Sequence, residues 1–310
     1  MYPYNTHSIT ESSSSNDDSH RHLNGRRFHA SASPAYYLPN DDLEAARLDL
    51  QHYTWKLSLN GHLSIAPIDP TTTQRVLDIG TGTGIWCIEV AKAHPGVGVI
   101  GTDLSVIQPE TKPGNCKFLQ ADAEEEWVFD EGKKFDFVHS RMLTMGTHDW
   151  RRYFAQCWEN LHPGGWIQTG ETQFPQRRAE EEEDDQRPSA LLQWGQHCYD
   201  AAAQAGIDAR ASEGFEDLLR AQGFVNISKY ELQWPIGTWA VGRKAKVIGR
   251  LTLENMGKAV PGIGTGLLGG KLGWRREQVE EFSERVKVDM ERGRNFVPMV
   301  IHVAQKPFEA

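Results

Sequence analysis

The sequence predicts an α/β fold in which short apolar strands alternate with helices and build a largely parallel sheet. The first observation is a strand, a glycine-rich turn and a helix in direct succession, at 76–79, 80–84 and 85–92. The second is that four more apolar runs follow at the spacing of strand–helix units, at 98–103, 116–122, 135–141 and 166–171. Strands separated by helical segments are typical of βαβ units and of a parallel sheet with helices on both faces.

The glycine-rich turn predicts a site for a nucleoside-bearing ligand. Gly80, Gly82 and Gly84 occupy every second position, so the backbone can tighten there and a ligand can lie directly against it. The spacing differs from the dinucleotide fingerprint G-x-G-x-x-G, because Ile85 stands where that pattern has its third glycine. Asp78, just before the turn, would be poorly placed beside a pyrophosphate and suits a ligand with a cationic or ammonium group.

The whole pattern Asp-x-Gly-x-Gly-x-Gly resembles motif I of the class I S-adenosylmethionine (SAM) methyltransferases. SAM carries a sulfonium and an amino group, so an acidic residue at the turn is electrostatically favourable. The resemblance implies SAM as the cofactor and S-adenosylhomocysteine (SAH) as the product. It assigns a first group of cofactor-binding residues, which are Asp78, Gly80, Thr81, Gly82 and Gly84.

The ends of the next two strands extend this predicted site. Asp103 follows the second strand, where an acid can accept hydrogen bonds from both ribose hydroxyls, and Leu104 lies next to it. The alternative is that Asp103 is a turn residue or a helix cap. In methyltransferases the residues after the third strand hold the adenine, which makes Asp122 the acceptor for its exocyclic amine and Ala123 the donor of a backbone N–H.

Several segments together resemble the fungal LaeA-like methyltransferases, which belong to secondary-metabolite gene clusters and their regulators. They are Tyr37-Leu-Pro-Asn-Asp, Arg47-Leu-Asp-Leu-Gln-His52, 77–86, 101–109, Phe135-Asp-Phe-Val-His-Ser-Arg141 and Asp149-Trp150. The resemblance is strong over 36–175 and weak elsewhere. It implies a Rossmann-like seven-stranded sheet, with an antiparallel seventh strand at 295–305, and methyl transfer to a small, natural-product-like acceptor. Two alternatives remain: a LaeA-like regulator acting through protein partners, and a repurposed fold that catalyses a non-methylating rearrangement.

The segments outside the predicted sheet also carry predictions. Residues 1–33 have few apolar side chains and no periodicity, so we expect a disordered tail before a methyltransferase domain at 34–310. A helix at 41–59 is expected to close the cofactor pocket as a lid, with Tyr37 among the cofactor-binding residues. The segment at about 235–292 is predicted to form a helical cap over the acceptor, and its glycine-rich part at 264–270 a mobile loop.

The candidate catalytic residues are those that follow the fourth and fifth strands. Ligands of open α/β sheets lie beyond the carboxyl ends of the strands, so His139, Arg141 and Glu171 are expected to face the site. His139 is the preferred general base and also a predicted cofactor contact, Glu171 is the second choice, and Arg141 is expected to orient an acceptor carboxylate or enolate. A structural role is the alternative for each of them. The predicted substrate-binding residues are Arg141, Met142, Tyr153, Trp239 and Met256.

Composition excludes several classes of function. The formal net charge is −9 and no basic stripe is present, so nucleic acid is not an expected partner. Apolar runs are too short for a membrane span, and no secretory signal pattern precedes the domain. The four cysteines lack metal-ligand spacing, so we expect no metal and a reducing compartment. The expected compartment is the cytoplasm, or the nucleus if the protein is a regulator. Protein partners or a homo-oligomer remain possible.

Overall fold

The fold is built on one large sheet with helices on both faces. A computed structural model describes residues 20–23, 26–29, 39–69, 71–129, 133–179 and 189–309. Its strands are β1 (His20–Leu23), β2 (Arg26–His29), β3 (Arg75–Ile79), β4 (Gly98–Asp103), β5 (Cys116–Gln120), β6 (Phe135–Arg141), β7 (Leu161–Thr172), β8 (Arg177–Arg178), β9 (Val225–Pro235) and β10 (Asn295–Gln305). Its helices are α1 (Asp42–Ser58), α2 (Ile85–Ala93), α3 (Trp150–Asn160), α4 (Ala190–Gln204), α5 (Phe215–Gln222), α6 (Arg243–Gly264), α7 (Gly270–Leu272) and α8 (Arg276–Arg292).

The strand order of the large sheet is β5-β4-β3-β6-β7-β10, and β8 and β9 both pair with β10. Strands β3 to β7 run parallel to one another, while β10 is antiparallel to both β7 and β9. This confirms the predicted sheet with its antiparallel seventh strand, and the two-residue β8 adds a short eighth strand. The parallel register pairs Asp78 with His139 and Ile79 with Ser140, so the glycine turn and Arg141 leave the sheet side by side.

The two faces of the sheet bury separate clusters of side chains. On one face, α1, α2, α4, α6 and α8 surround the buried Trp55, Trp86 and Trp194. On the other face, α3 and α5 cover Leu77, Val138 and their neighbours with aromatic side chains. No helix within the described ranges is long and apolar enough to cross a membrane.

The lid and cap segments are helical. Helix α1 begins after Asp41, whose carboxylate accepts the backbone N–H of Glu44, as expected of a helix N-cap. The segment predicted as a cap contains α6, α7 and α8, and α4 packs against α8 beside it. The glycine-rich part is not the predicted mobile loop: residues 265–269 form a π-helical turn that continues α6, and most of it is buried. Gly264 packs closely against α8, since a Cβ there would lie only 3.0 Å from the Val279 side chain.

Part of the predicted tail also has structure. Strands β1 and β2 form an antiparallel hairpin, whereas residues 1–19, 24–25 and 30–33 lie outside the described residues. Phe28 is fully buried, and Arg26 donates two hydrogen bonds to Asp41, at 2.6 and 3.0 Å. These eight residues form strands where the sequence led us to expect disorder. Phe28 bridges to Pro39, and Arg26 links the hairpin to Asp41, the N-cap of α1.

Candidate active site

A cavity opens beyond the carboxyl ends of β3, β4, β6 and β7, beneath α1 and α6. Eleven of the predicted site residues line it: Asp78, Gly80, Thr81, Gly82, Asp103, Leu104, Asp122, Ala123, Arg141, Met142 and Met256. Five do not: Gly84, His139, Tyr153, Glu171 and Trp239. Tyr37 lies outside the described residues. Most of the predicted cofactor-binding residues thus lie together at the cavity. Of the three predicted catalytic residues, Arg141 lines it and His139 and Glu171 do not.

The glycine turn forms the floor of the cavity. Gly80, Gly82 and Gly84 all have positive φ angles, of 67°, 59° and 76°, which favour glycine. A Cβ atom on Gly80 would collide with Leu143, and one on Gly84 would collide with the Phe118 ring. Gly84 therefore allows α2 to pack closely over β5 and, contrary to the prediction, does not itself line the cavity.

Asp78 is held beneath the turn by internal hydrogen bonds. Its carboxylate accepts a hydrogen bond from Thr81 Oγ1 at 2.7 Å and lies 2.7 Å from His139 Nδ1. His139 is buried, and its ring stacks on Trp86 at 3.8 Å with the two planes 3° apart. Burial lowers the pKa of His139, although Asp78 opposes the shift. His139 points into the layer between the sheet and α2, so it orients Asp78 and reaches neither the cofactor nor the acceptor side of the cavity, which corrects its predicted role.

Asp103 ties the end of β4 to the glycine turn. One of its oxygens accepts the backbone N–H of Gly82 at 2.7 Å, and the other accepts that of Ser105 at 2.9 Å. Burial raises the pKa of Asp103 to about 6, and the two backbone hydrogen bonds oppose that shift. The carboxylate lines the cavity, and each oxygen retains a lone pair for a further donor.

Asp122 and Ala123 line the cavity after β5, on the same side as Asp103. Asp122 accepts the backbone N–H of Glu124 at 2.9 Å, and the Ala123 carbonyl accepts Trp127 Nε1 at 3.0 Å. These bonds fix the segment in a turn. The backbone N–H of Ala123 and one carboxylate oxygen of Asp122 take no part in them.

Arg141 is a cation without a carboxylate partner in the described part of the chain. Its Nη2 atom lies 3.0 Å from His52 Nδ1, and His52 Nε2 lies 3.3 Å from Glu89, which also accepts Lys56 at 2.7 Å. Burial lowers the pKa of His52 to about 4, and the charge of Arg141 adds to that shift. His52 is therefore neutral at physiological pH and accepts from Arg141, while burial lowers the pKa of Arg141 to about 10.

Glu171 holds the loop after β6 and does not face the cavity. Its two oxygens accept the backbone N–H groups of Leu143 and Thr144, at 3.2 and 3.0 Å, and the Thr144 hydroxyl at 2.7 Å. Burial raises its pKa to about 7, and these hydrogen bonds oppose that shift. Leu143 and Thr144 line the cavity in its place, so the predicted base is a positioning residue.

Tyr153 and Trp239 are also corrected as substrate contacts. Tyr153 lies in α3, on the opposite face of the sheet, and its hydroxyl donates to Ser140 Oγ at 2.8 Å. Trp239 Nε1 donates to the Asn295 carbonyl at 3.1 Å, away from the cavity lining. Both side chains serve the fold.

The far side of the cavity is built from residues that the sequence did not single out. We call it the acceptor half, and it comprises Thr172, Phe174, Gln176, Trp194, Trp234, Thr252, Asn255, Met256, Ala259, Ile263, Val297 and Met299. None of the twelve is ionisable. Trp55 of α1 joins them and packs edge-on against Trp234, with ring centroids 4.9 Å apart.

Hydrogen bonds join α1, the predicted lid, to α6 of the predicted cap at the cavity. Arg47 of α1 donates to Asn255 Oδ1 at 3.0 Å, and Asn255 of α6 donates back to the Arg47 carbonyl at 2.9 Å. The Nε and Nη2 atoms of Arg47 both donate to Glu44 Oε1, so the charge of Arg47 is neutralised. The roof over both sides of the cavity is therefore one connected unit.

Known proteins resemble this chain in sequence and in fold. A family model of the methyltransferase domain matches residues 43–229. The methyltransferase pytC of Aspergillus terreus is 33% identical over 98% of this chain and 93% of its own. The protein-methionine methyltransferase laeA of Emericella nidulans is 28% identical over 92% of this chain and 76% of its own. Among solved structures, phosphoethanolamine N-methyltransferase 2 of Haemonchus contortus in complex with SAM has a TM-score of 0.52 at 18% identity, over 91% of this chain and 62% of that one.

The strand order, the glycine turn with its flanking acids and these matches agree with one another. The family model covers more than half of the chain, and the relatives match it over most of its length. The chain belongs to the class I SAM-dependent methyltransferases, in the fungal group that contains the LaeA-like proteins.

Proposed function

We propose that the protein transfers the methyl group of SAM to a small apolar molecule bound in the acceptor half. The observation that supports this proposal is the division of one cavity into two chemically distinct parts. The side formed by the glycine turn, Asp103 and Asp122 is polar and acidic, while the acceptor half is aromatic and uncharged. A concave and largely apolar site suits a small molecule better than an exposed protein segment.

The cofactor side assigns a role to each of its residues. Asp103 accepts hydrogen bonds from the ribose hydroxyls, Asp122 and the Ala123 N–H hold the adenine edge, and Gly80 and Gly82 leave the backbone open to the ligand. Asp78 provides negative charge beneath the turn. When bound, SAM supplies an electrophilic methyl group on a positively charged sulfur.

Arg141 serves the carboxylate of the cofactor in this proposal. The β3–β6 register places it beside the glycine turn, where the amino-acid end of the cofactor lies if Asp103 holds the ribose. Among the described residues, the hydrogen-bond partner of this half-buried guanidinium is a neutral imidazole, so the binding of an anion beside it is favourable. This assignment replaces the predicted role of Arg141 in orienting the acceptor.

Methyl transfer at this site relies on orientation and on exclusion of water. Neither His139 nor Glu171 lines the cavity, and His52 already accepts from Arg141. No side chain of the acceptor half can take a proton. The acceptor atom must therefore be nucleophilic by itself or must carry a proton acidic enough to be lost to water before transfer.

A labelling experiment tests this proposal. The protein is incubated with methyl-tritiated SAM and a panel of uncharged aromatic hydroxy compounds, and the label that partitions into organic solvent is counted. We expect transfer by the wild-type protein and a loss of about 5- to 100-fold with Asp103→Ala at subsaturating SAM, the effect of losing a charge-assisted hydrogen bond. Equal labelling by the two proteins would contradict the assignment of the cofactor site.

A methionine side chain is a second candidate acceptor. The laeA relative of Emericella nidulans is named a protein-methionine methyltransferase. In this chain Met142, Met145, Met256 and Met299 line the cavity, and Met142 has a positive φ of 60°. Intact-mass analysis after incubation with SAM separates the two candidates: a gain of one methyl group on the protein, with no label in organic solvent, favours methionine.

A further inference from the structure

We infer that the acceptor is an uncharged, planar aromatic compound that carries hydrogen-bond-accepting oxygens. This inference rests on the proposed function and names the substrate class of the same cavity. It follows from three properties of the acceptor half: its lack of charge, its aromatic walls and its unpaired polar atoms.

The lack of charge excludes ionic acceptors. The twelve residues of the acceptor half come from the end of β7 and the segment after it, and from α4, α6, β9 and β10, and none can neutralise a carboxylate, phosphate or ammonium group. Burying such a group without a partner costs several kcal/mol, by the general penalty for unpaired buried charge. Two cations line other parts of the cavity. Arg47 donates to Asn255 but is paired with Glu44, and Arg141 lies beside the glycine turn and is assigned to the cofactor.

The aromatic walls favour a planar ligand. Trp194, Trp234 and Phe174 contribute from three different elements, and Trp55 packs against Trp234 from α1. Indole and phenyl rings offer large flat surfaces, and stacked or edge-on contacts between rings stabilise a complex beyond simple area burial. The sulfur atoms of Met256 and Met299 make favourable contacts with the edges of aromatic rings.

The unpaired polar atoms specify what the rim of the ligand must carry. Trp194 Nε1 and Trp234 Nε1 are buried and lack a hydrogen-bond partner in the described part of the chain. An indole N–H can only donate, so it requires an acceptor on the ligand. Thr172 Oγ1, which can donate or accept, is unpaired and buried in the same half. Buried donors without partners are unfavourable. These atoms expose almost no surface in the structure, so the side chains must adjust on binding to let a ligand carbonyl, ether or hydroxyl oxygen reach and satisfy them.

A set of naphthalene probes tests the inference on the SAH-saturated protein. The affinities of 2-naphthol, 2-naphthoate, 2-naphthylmethylammonium and naphthalene are measured by equilibrium dialysis. We expect 2-naphthol to bind at least about tenfold more tightly than either charged probe, because each charge would be buried unpaired. Trp194→Phe and Trp234→Phe each keep an aromatic ring and remove the indole N–H. At least one of them should weaken the binding of 2-naphthol by about three- to tenfold and leave the affinity for naphthalene unchanged.

Trp239→Phe is the matched control, since Trp239 Nε1 has a backbone partner and the side chain does not line the cavity. It should change none of the four affinities. Preferential binding of a charged probe, no binding of any probe, or equal effects of all three tryptophan variants would each overturn the inference. SAH binding, measured in parallel, distinguishes failure of the inferred substrate class from failure of the proposed function. If the wild-type protein binds SAH and gives any of those results, only the substrate class is refuted. If the wild-type protein does not bind SAH, the proposed function is refuted.

Discussion

Replacing Arg141 by Gln tests how the amino-acid end of the cofactor is bound. Arg141 is half-buried, has no carboxylate partner among the described residues, and donates to a neutral His52. Burial lowers its pKa to about 10, which corresponds to roughly 3 kcal/mol of disfavoured charge at about 1.4 kcal/mol per pKa unit. A ligand carboxylate would recover part of this cost, and charge-assisted hydrogen bonds contribute about 1.5–3 kcal/mol. The expected loss in SAH affinity is therefore about 10- to 100-fold.

Isothermal titration with two ligands isolates that interaction. Methylthioadenosine contains the adenosine and the sulfur of SAH but lacks the amino-acid group. Arg141→Gln should weaken the binding of SAH and leave the affinity for methylthioadenosine within about twofold. A substitution away from the contacts of a ligand changes the free energy by less than about 0.5 kcal/mol. Asp103→Asn is the matched control and should weaken both ligands, because it acts on the ribose. If Arg141→Gln binds SAH normally, or weakens both ligands equally, the carboxylate assignment is wrong.

Three further predictions follow from the buried acids and the hairpin. SAH affinity should fall by up to about tenfold per pH unit below pH 6, because Asp103 must be ionised to accept two hydroxyls, and Asp103→Asn should abolish this dependence in titrations at several pH values. The pKa of Glu171 is raised in the folded state, so the folded protein retains a proton that the unfolded chain releases between about pH 4.3 and 7. The free energy of unfolding should fall across that window by up to about 3 kcal/mol more in the wild type than in Glu171→Gln, and parallel denaturation curves would contradict the assignment. Finally, a chain that begins at Ser33 should lose about 2–4 kcal/mol of stability in chemical denaturation, because the burial of Phe28 and the Arg26–Asp41 pair are removed; unchanged stability would mean that the hairpin is dispensable.

The cofactor side of the cavity could be predicted because its chemistry is local in sequence. The glycine turn requires positive φ at fixed positions, and the acids stand directly at strand ends, so the residues and their spatial order follow from one repeated strand–helix pattern. Asp78, Gly80, Gly82 and Asp103 line the cavity for this reason.

The catalytic side could not be predicted from position at a strand end. His139 and Glu171 both end up at the correct edge of the sheet, but their carboxylate and backbone partners hold them behind the cavity wall. Trp194 and Trp234 are separated by a long stretch of chain and meet only when α4 and β9 pack beneath the cap. Nothing local in sequence distinguishes a tryptophan that lines a cavity from one that fills a core.

The most direct test of the central claim is a crystal structure of the protein with SAH. The account predicts that the ribose contacts Asp103, the adenine lies beside Asp122, the carboxylate meets Arg141, and the sulfur faces Trp194 and Trp234 across the cavity. An SAH molecule whose adenosine occupies the acceptor half, or whose sulfur faces away from it, would contradict the claim that one cavity holds the methyl donor and an apolar acceptor together.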